Sequence, residues 1–76
     1  MKTYNMYLSN GATHPSQWVT DDGRYFIMEL EYYKQAPTKP YYNAYDIGTV
    51  PCRKVEEGHS TLESILEALE LREYGK

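Results

Sequence analysis

The side chains with chemistry to offer are few and scattered. His14, Cys52 and His59 are the candidate bases and nucleophile, and their spacing matches no nucleophile signature. The bland account makes Cys52 a small apolar filler and both histidines loop residues. A structural zinc site ordinarily shows paired ligands such as C-x2-C or H-x3-H, and His14, Asp46, Cys52 and His59 offer no such pair. The run Asp21-Asp22-Gly23 lacks the alternating carboxylates and closing glutamate of a calcium loop. Glu29 and Glu31 stand two apart, which on a strand puts both carboxylates on one face, but a solvated strand face accounts for them without a sugar cleft. Neither G-x-x-x-x-G-K-[ST] nor G-x-G-x-x-G occurs, so no phosphate cradle is indicated. The expectation is a protein that is not an enzyme and has no cofactor or metal.

Tyrosine is the abundant functional residue: nine of them, against one phenylalanine and one tryptophan. Its ring is large, rigid and apolar while its hydroxyl keeps a partner or water, which suits a surface that contacts another macromolecule. Binding is therefore favoured over chemistry.

The elements that must position these rings follow from periodicity. Residues 3–8 alternate, with Tyr4, Met6 and Leu8 on one face, as in a half-buried strand. Residues 9–17 carry turn formers without periodicity and read as an exposed loop. Asp22-Gly23 then predicts a tight hairpin, because such a turn needs positive φ values. Residues 24–33 give the longest strand, with Phe26, Met28, Leu30 and Tyr32 expected inside and Tyr25, Ile27, Glu29, Glu31 and Tyr33 outside. Two prolines, Pro37 and Pro40, make residues 34–40 a loop. Residues 41–47 alternate again, while Gly48 and Pro51 leave residues 50–56 as a short edge strand or a connector. Ser60-Thr61-Leu62-Glu63 fits a capping box with Ser60 as cap, and Leu62, Ile65, Leu66 and Leu69 form one helical stripe that Gly75 would terminate. The expected fold is α+β: a small antiparallel sheet of 3–4 strands, including the Asp-Gly hairpin, with one C-terminal helix on one face.

A chain of 76 residues is one domain, spanning 1–76, with a small core. The lone cysteine excludes an internal disulfide and points to a reducing compartment. After Lys2 the chain is too polar for a signal peptide, and its longest apolar run is far too short for a bilayer, so a cytoplasmic protein is expected. The formal charge of −3 works against the counterion release that drives nucleic-acid binding. Direct nucleic-acid binding through exposed tyrosines therefore ranks third.

The first-ranked reading is a protein-binding surface that is acidic and tyrosine-rich, complementary to a partner with a basic surface. Its candidate residues are Tyr25, Glu29, Glu31 and Tyr33 on the outward strand face, Tyr41, Tyr42 and Tyr45 on the next strand, and Glu63, Glu67 and Glu70 on the helix. A short, acidic, tyrosine-rich and cysteine-poor domain of this kind resembles, in composition rather than motif, the small phage-encoded inhibitors of host enzymes, anti-CRISPR proteins among them. That resemblance implies an inhibitor of a host nucleic-acid-handling enzyme, acting in the host-cell cytoplasm. The alternative is an accessory or regulatory domain, such as one that homodimerises through its sheet.

Overall fold

The computed structural model describes residues 2–31 and 39–74. Along the chain run β1 (Thr3–Tyr7), β2 (Thr13–Thr20), β3 (Tyr25–Glu31), β4 (Pro40–Asp46), β5 (Arg53–His59) and α1 (Leu62–Tyr74). The five strands form one antiparallel sheet in the order of the sequence, and the C-terminal helix packs against it, so the fold is α+β. The predicted positions of Tyr32, Tyr33, residues 34–38 and Gly75 lie outside the described residues.

The sheet has one strand more than the upper bound expected, because residues 53–59 make a full edge strand. Strand β2 also takes residues 13–17 from the predicted loop. Pro15 is tolerated there because the ladder is broken at that point: two steps along β1 face five along β2, from Asn5↔Trp18 to Tyr7↔Thr13. The Asn5 amide spans the gap, donating to the His14 carbonyl at 3.1 Å and to the Gln17 carbonyl at 3.5 Å.

The β2–β3 hairpin forms as the Asp-Gly pair predicts, but among the loop residues only Gly23 has positive φ, +71°. Its N–H donates to the Thr20 carbonyl at 2.9 Å. Side chains complete the turn. Thr20 Oγ1 donates to Asp22 Oδ1 at 2.6 Å and accepts from the Tyr25 N–H at 3.1 Å, and the Arg24 N–H donates to the same Asp22 oxygen at 3.0 Å. These bonds hold the Asp22 carboxyl below its ordinary range, the Thr20 hydroxyl contributing most.

The helix begins one residue later than the predicted box. Thr61 is the cap: its Oγ1 accepts the Ser64 N–H at 3.1 Å, and its carbonyl accepts the Ile65 N–H at 3.3 Å. The stripe then behaves as its spacing requires. Ile65 and Leu69 are fully buried, with Leu62 and Leu66 packed beside them.

The sheet face beneath that helix is the reverse of the expected one. Tyr25, Ile27 and Ala44 are buried with Ile65 and Leu69, and Trp18, Tyr42 and Val55 pack around them. Phe26, Met28 and Leu30 therefore lie on the other side. The reason is visible across the β3–β4 pairing. Ile27 faces Ala44, whose small side chain lets Ile65 and Leu69 come close to the sheet, whereas Phe26, Met28 and Leu30 face Tyr45, Asn43 and Tyr41. A helix laid over that second row would be held off by three bulky side chains and would bury their polar ends. Each large aliphatic side chain sealed under the helix contributes about 1.5–3 kcal/mol.

Candidate protein-binding face

Because strand side chains alternate, the register sorts the central sheet into two surfaces. On the helix side stand Trp18 of β2, Tyr25, Ile27 and Glu29 of β3, and Tyr42, Ala44 and Asp46 of β4. The opposite surface has Gln17 and Val19 of β2, then Phe26, Met28 and Leu30 of β3, then Tyr41, Asn43 and Tyr45 of β4. Tyr4 of β1, paired with Val19, extends this surface outward, and Met6 follows it in phase. No described element packs over this side. Tyr4 is 57% exposed and Met6 37%, while Val19, Phe26, Met28, Leu30, Tyr41 and Tyr45 are partly exposed. The Phe26 and Tyr45 rings meet at 6.1 Å between centroids, tilted by 42°, so part of the surface is already ordered by aromatic contact.

Charge is sparse here. None of the opposite-surface residues just named on β2, β3 and β4 is charged. On β5, Lys54 and Glu57 pair with each other, and the Glu57 carboxylate raises the Lys54 ammonium above its ordinary range. Both line a shallow depression of about 230 Å³ together with Tyr41, Asn43 and Gly58. Asn43 is buried at its floor, its Oδ1 accepting the Gly58 N–H at 3.0 Å. Gly58 can take part because it bulges from the ladder at φ +74°, a conformation that a Cβ disfavours.

The residues expected to form one acidic, tyrosine-rich surface are divided by the fold. Tyr25 is a correction: at 2% exposure it belongs to the core, because its phase on β3 is the one the helix covers. Tyr42 is also on the helix side, half-buried, with its ring 6.0 Å from that of Trp18 and its hydroxyl donating to Glu29 Oε2 at 2.7 Å. Glu29 is thus a partner of Tyr42 within the fold. Glu31 shares its strand phase and is exposed. Glu63 and Glu67 are exposed on α1, and Glu70 there is half-buried. Tyr33 lies outside the described residues. Among the described residues of the expected set, only Tyr41 and Tyr45 stand on the helix-free surface.

Sequence reasoning assigned the rest of that surface, namely Tyr4, Met6, Phe26, Met28 and Leu30, to the core. A signal against this was present. Strand β3 has apolar residues in both phases, more than a helix of 13 residues packed on one side can cover.

The chemically capable side chains do not gather into one site. His14 and His59 stand on β2 and β5, strands three spacings or about 14 Å apart across the sheet. Cys52 is a free, exposed thiol before β5. His14 Nδ1 accepts the Ser16 N–H at 3.2 Å within the irregular part of β2. His59 is better connected: its Nδ1 is 2.8 Å from Ser64 Oγ, its Nε2 is 2.9 Å from Glu56 Oε1, and Arg72 reaches Glu56 Oε2 at 3.5 Å. This has the order hydroxyl, imidazole, carboxylate. Its placement is that of a clasp, since it ties β5 to both the first and the last turns of α1. Asp46 is likewise engaged, accepting the Gly48 N–H at 2.9 Å and facing Arg24 at 3.5 Å. Among the described residues no three His, Cys, Asp or Glu side chains are grouped to hold a metal ion, and no helix is long and apolar enough to cross a membrane. The chain matches no protein-family model, no curated protein and no solved structure.

Proposed function

We propose that this chain is a non-enzymatic protein-binding domain whose contact surface is the helix-free side of its sheet. One observation carries the reading: the helix covers Tyr25 and Ile27 and leaves the row Phe26, Met28, Leu30, with Tyr4, Tyr41 and Tyr45 beside it, without a covering element among the described residues. A contiguous apolar and aromatic surface on so small a domain marks an interaction site, and tyrosine and methionine are residue types enriched in such interfaces.

The partner expected from the sequence, an enzyme that handles nucleic acid and is disabled by binding, draws on a different part of the molecule. Its basic surface would meet Glu31, Glu63 and Glu67, which are exposed on the helix side. Contact there is electrostatic and weakens as salt rises. The helix-free surface supplies apolar anchoring that salt does not screen.

Site-specific photo-crosslinking tests the reading. A benzophenone amino acid placed at Tyr4 or Tyr45 in the cell of origin should give a discrete cross-linked protein species. The same group at Val50, fully exposed in the β4–β5 connection, should give none. Equal or absent cross-linking at all three positions would place the contact surface elsewhere.

A further inference from the structure

We infer that the helix-free face closes on a second copy of this chain, sheet against sheet, in a two-fold dimer whose acidic helix sides face away from each other. The inference rests on the reading of that face as the contact surface and names its occupant.

Charge selects the occupant first. The chain has a net charge of −3, so two copies repel unless their carboxylates are kept apart. Glu29 meets Tyr42 on the helix side, Glu56 meets Arg72 of α1, and Glu63 and Glu67 are on α1 itself. With two sheets about 10 Å apart and a helix roughly 10 Å beyond each, the two helix layers stand about 30 Å apart, several Debye lengths at physiological salt. A partner recognised by charge would need free charges on this face. Its β5 charges, Lys54 and Glu57, already satisfy each other and its β2, β3 and β4 residues are uncharged, which leaves a nearly neutral centre matched by another of the same kind, with Lys2 and Lys39 only at its ends, in phase with Tyr4 and Tyr41.

Area is sufficient. Five strands at about 4.8 Å spacing, with about seven residues at 3.3 Å rise, give a face of roughly 500 Å² in projection. A face-to-face pair then removes about 1,000 Å² or more from water, the lower bound for a specific interface. The geometry also disfavours association through the β5 edge. Register shifts around Ala44 interrupt the β4–β5 ladder, and Gly58 adds a positive-φ kink, so β5 makes a poor template for another strand. Two twisted sheets pack face to face readily, with side chains of the inner surfaces interleaving.

Light scattering on the full chain provides the test, with Met28 as the probe because it sits mid-face on the central strand. The parent should weigh twice its 8.9 kDa at about 100 μM. Both Met28→Lys and Met28→Glu should run as folded monomers, and an equimolar mixture of the two should recover the dimer mass. Val50→Lys, which adds the same charge off the face, should remain dimeric. Recovery in the mixture also shows that neither variant is merely misfolded. A parent that stays at 8.9 kDa, or a Met28→Lys variant that stays dimeric, overturns the second copy as occupant. Cross-linking from Tyr4 and Tyr45 separates the two claims: a monomeric parent that cross-links to a different protein keeps the contact face and loses the dimer. A monomeric parent with no cross-link from either position loses both.

Discussion

The Tyr42 hydroxyl donates a 2.7 Å hydrogen bond to Glu29 Oε2, joining cross-strand neighbours of β4 and β3 at the margin of the helix-covered face. Both side chains had the character of contact residues, an exposed ring and an exposed carboxylate. Here each satisfies the other, and the Tyr42 ring also meets Trp18. The bond fixes the proton on the phenol. Losing it would put two anions side by side in a half-buried place, so the hydroxyl pKa is pushed up to about 12, with the Glu29 hydrogen bond the largest cause.

Tyr42 should therefore be among the last tyrosines to ionise. In an alkaline titration followed at the phenolate absorbance, Glu29→Gln should move one transition down toward the ordinary tyrosine value. The linkage has a definite sign. The folded pKa lies above the unfolded one, so the stabilisation is complete below about pH 10 and is lost as pH rises from 10 toward 12. If Glu29→Gln leaves every tyrosine transition in place, the hydrogen bond is not formed in solution.

Helix packing makes a graded prediction. Leu69 is 0% exposed whereas Leu66 is only partly buried, so Leu69→Ala should cost about 2–5 kcal/mol and Leu66→Ala distinctly less. Urea unfolding of the two variants decides it. At the start of the helix, Thr61→Ala should cost about 1 kcal/mol and Ser60→Ala less, because the Thr61 hydroxyl accepts the Ser64 N–H. The reverse ranking would return the cap to Ser60.

The hairpin carries an acid signature. Asp22 is held below its ordinary pKa by the Thr20 hydroxyl and the Arg24 N–H, so the unfolded chain takes up its proton first on acidification. Its stabilisation is present above the ordinary carboxylate pKa and is lost as pH falls through the lower folded value. Asp22→Asn should flatten the dependence of the melting temperature on pH in that acidic window. An unchanged slope would mean that the turn is not held through this carboxylate.

Much of this architecture was legible because alternation and the 3.6-residue stripe depend on nearest neighbours along the chain. Phe26, Met28 and Leu30 were correctly grouped, and so were Tyr25 and Ile27. What alternation leaves open is which group a helix will cover, since that depends on the partners brought alongside by β4. Ala44 opposite Ile27 permits close approach, and Tyr41, Asn43 and Tyr45 do not. The irregular pairing around Pro15 is hidden for a similar reason: the His14 and Gln17 carbonyls there are met by Asn5, from a different strand. The candidate surface was misread through the same step, so its tyrosines were half right. Tyr41 and Tyr45 stand on the helix-free side, while Tyr25 and Tyr42 support the fold.

The most direct check of that assignment compares two consecutive residues of β3. Ile27 is completely buried beneath α1 and Met28 lies on the helix-free side, only partly buried. Ile27→Ala should cost about 2–5 kcal/mol, a large share of the stability available to a domain of this size. Met28→Ala should cost distinctly less, since Met28 is only partly buried and no described element packs over it. The two should separate in function in the opposite sense: Met28→Ala, still folded at room temperature, should weaken association through the helix-free row, whereas Ile27→Ala should affect it only as far as it unfolds the chain. Thermal melts paired with a concentration series in light scattering give both readouts on the same samples. If Met28→Ala proves the more destabilising of the two, the helix covers the other face, and the proposed contact surface goes with it.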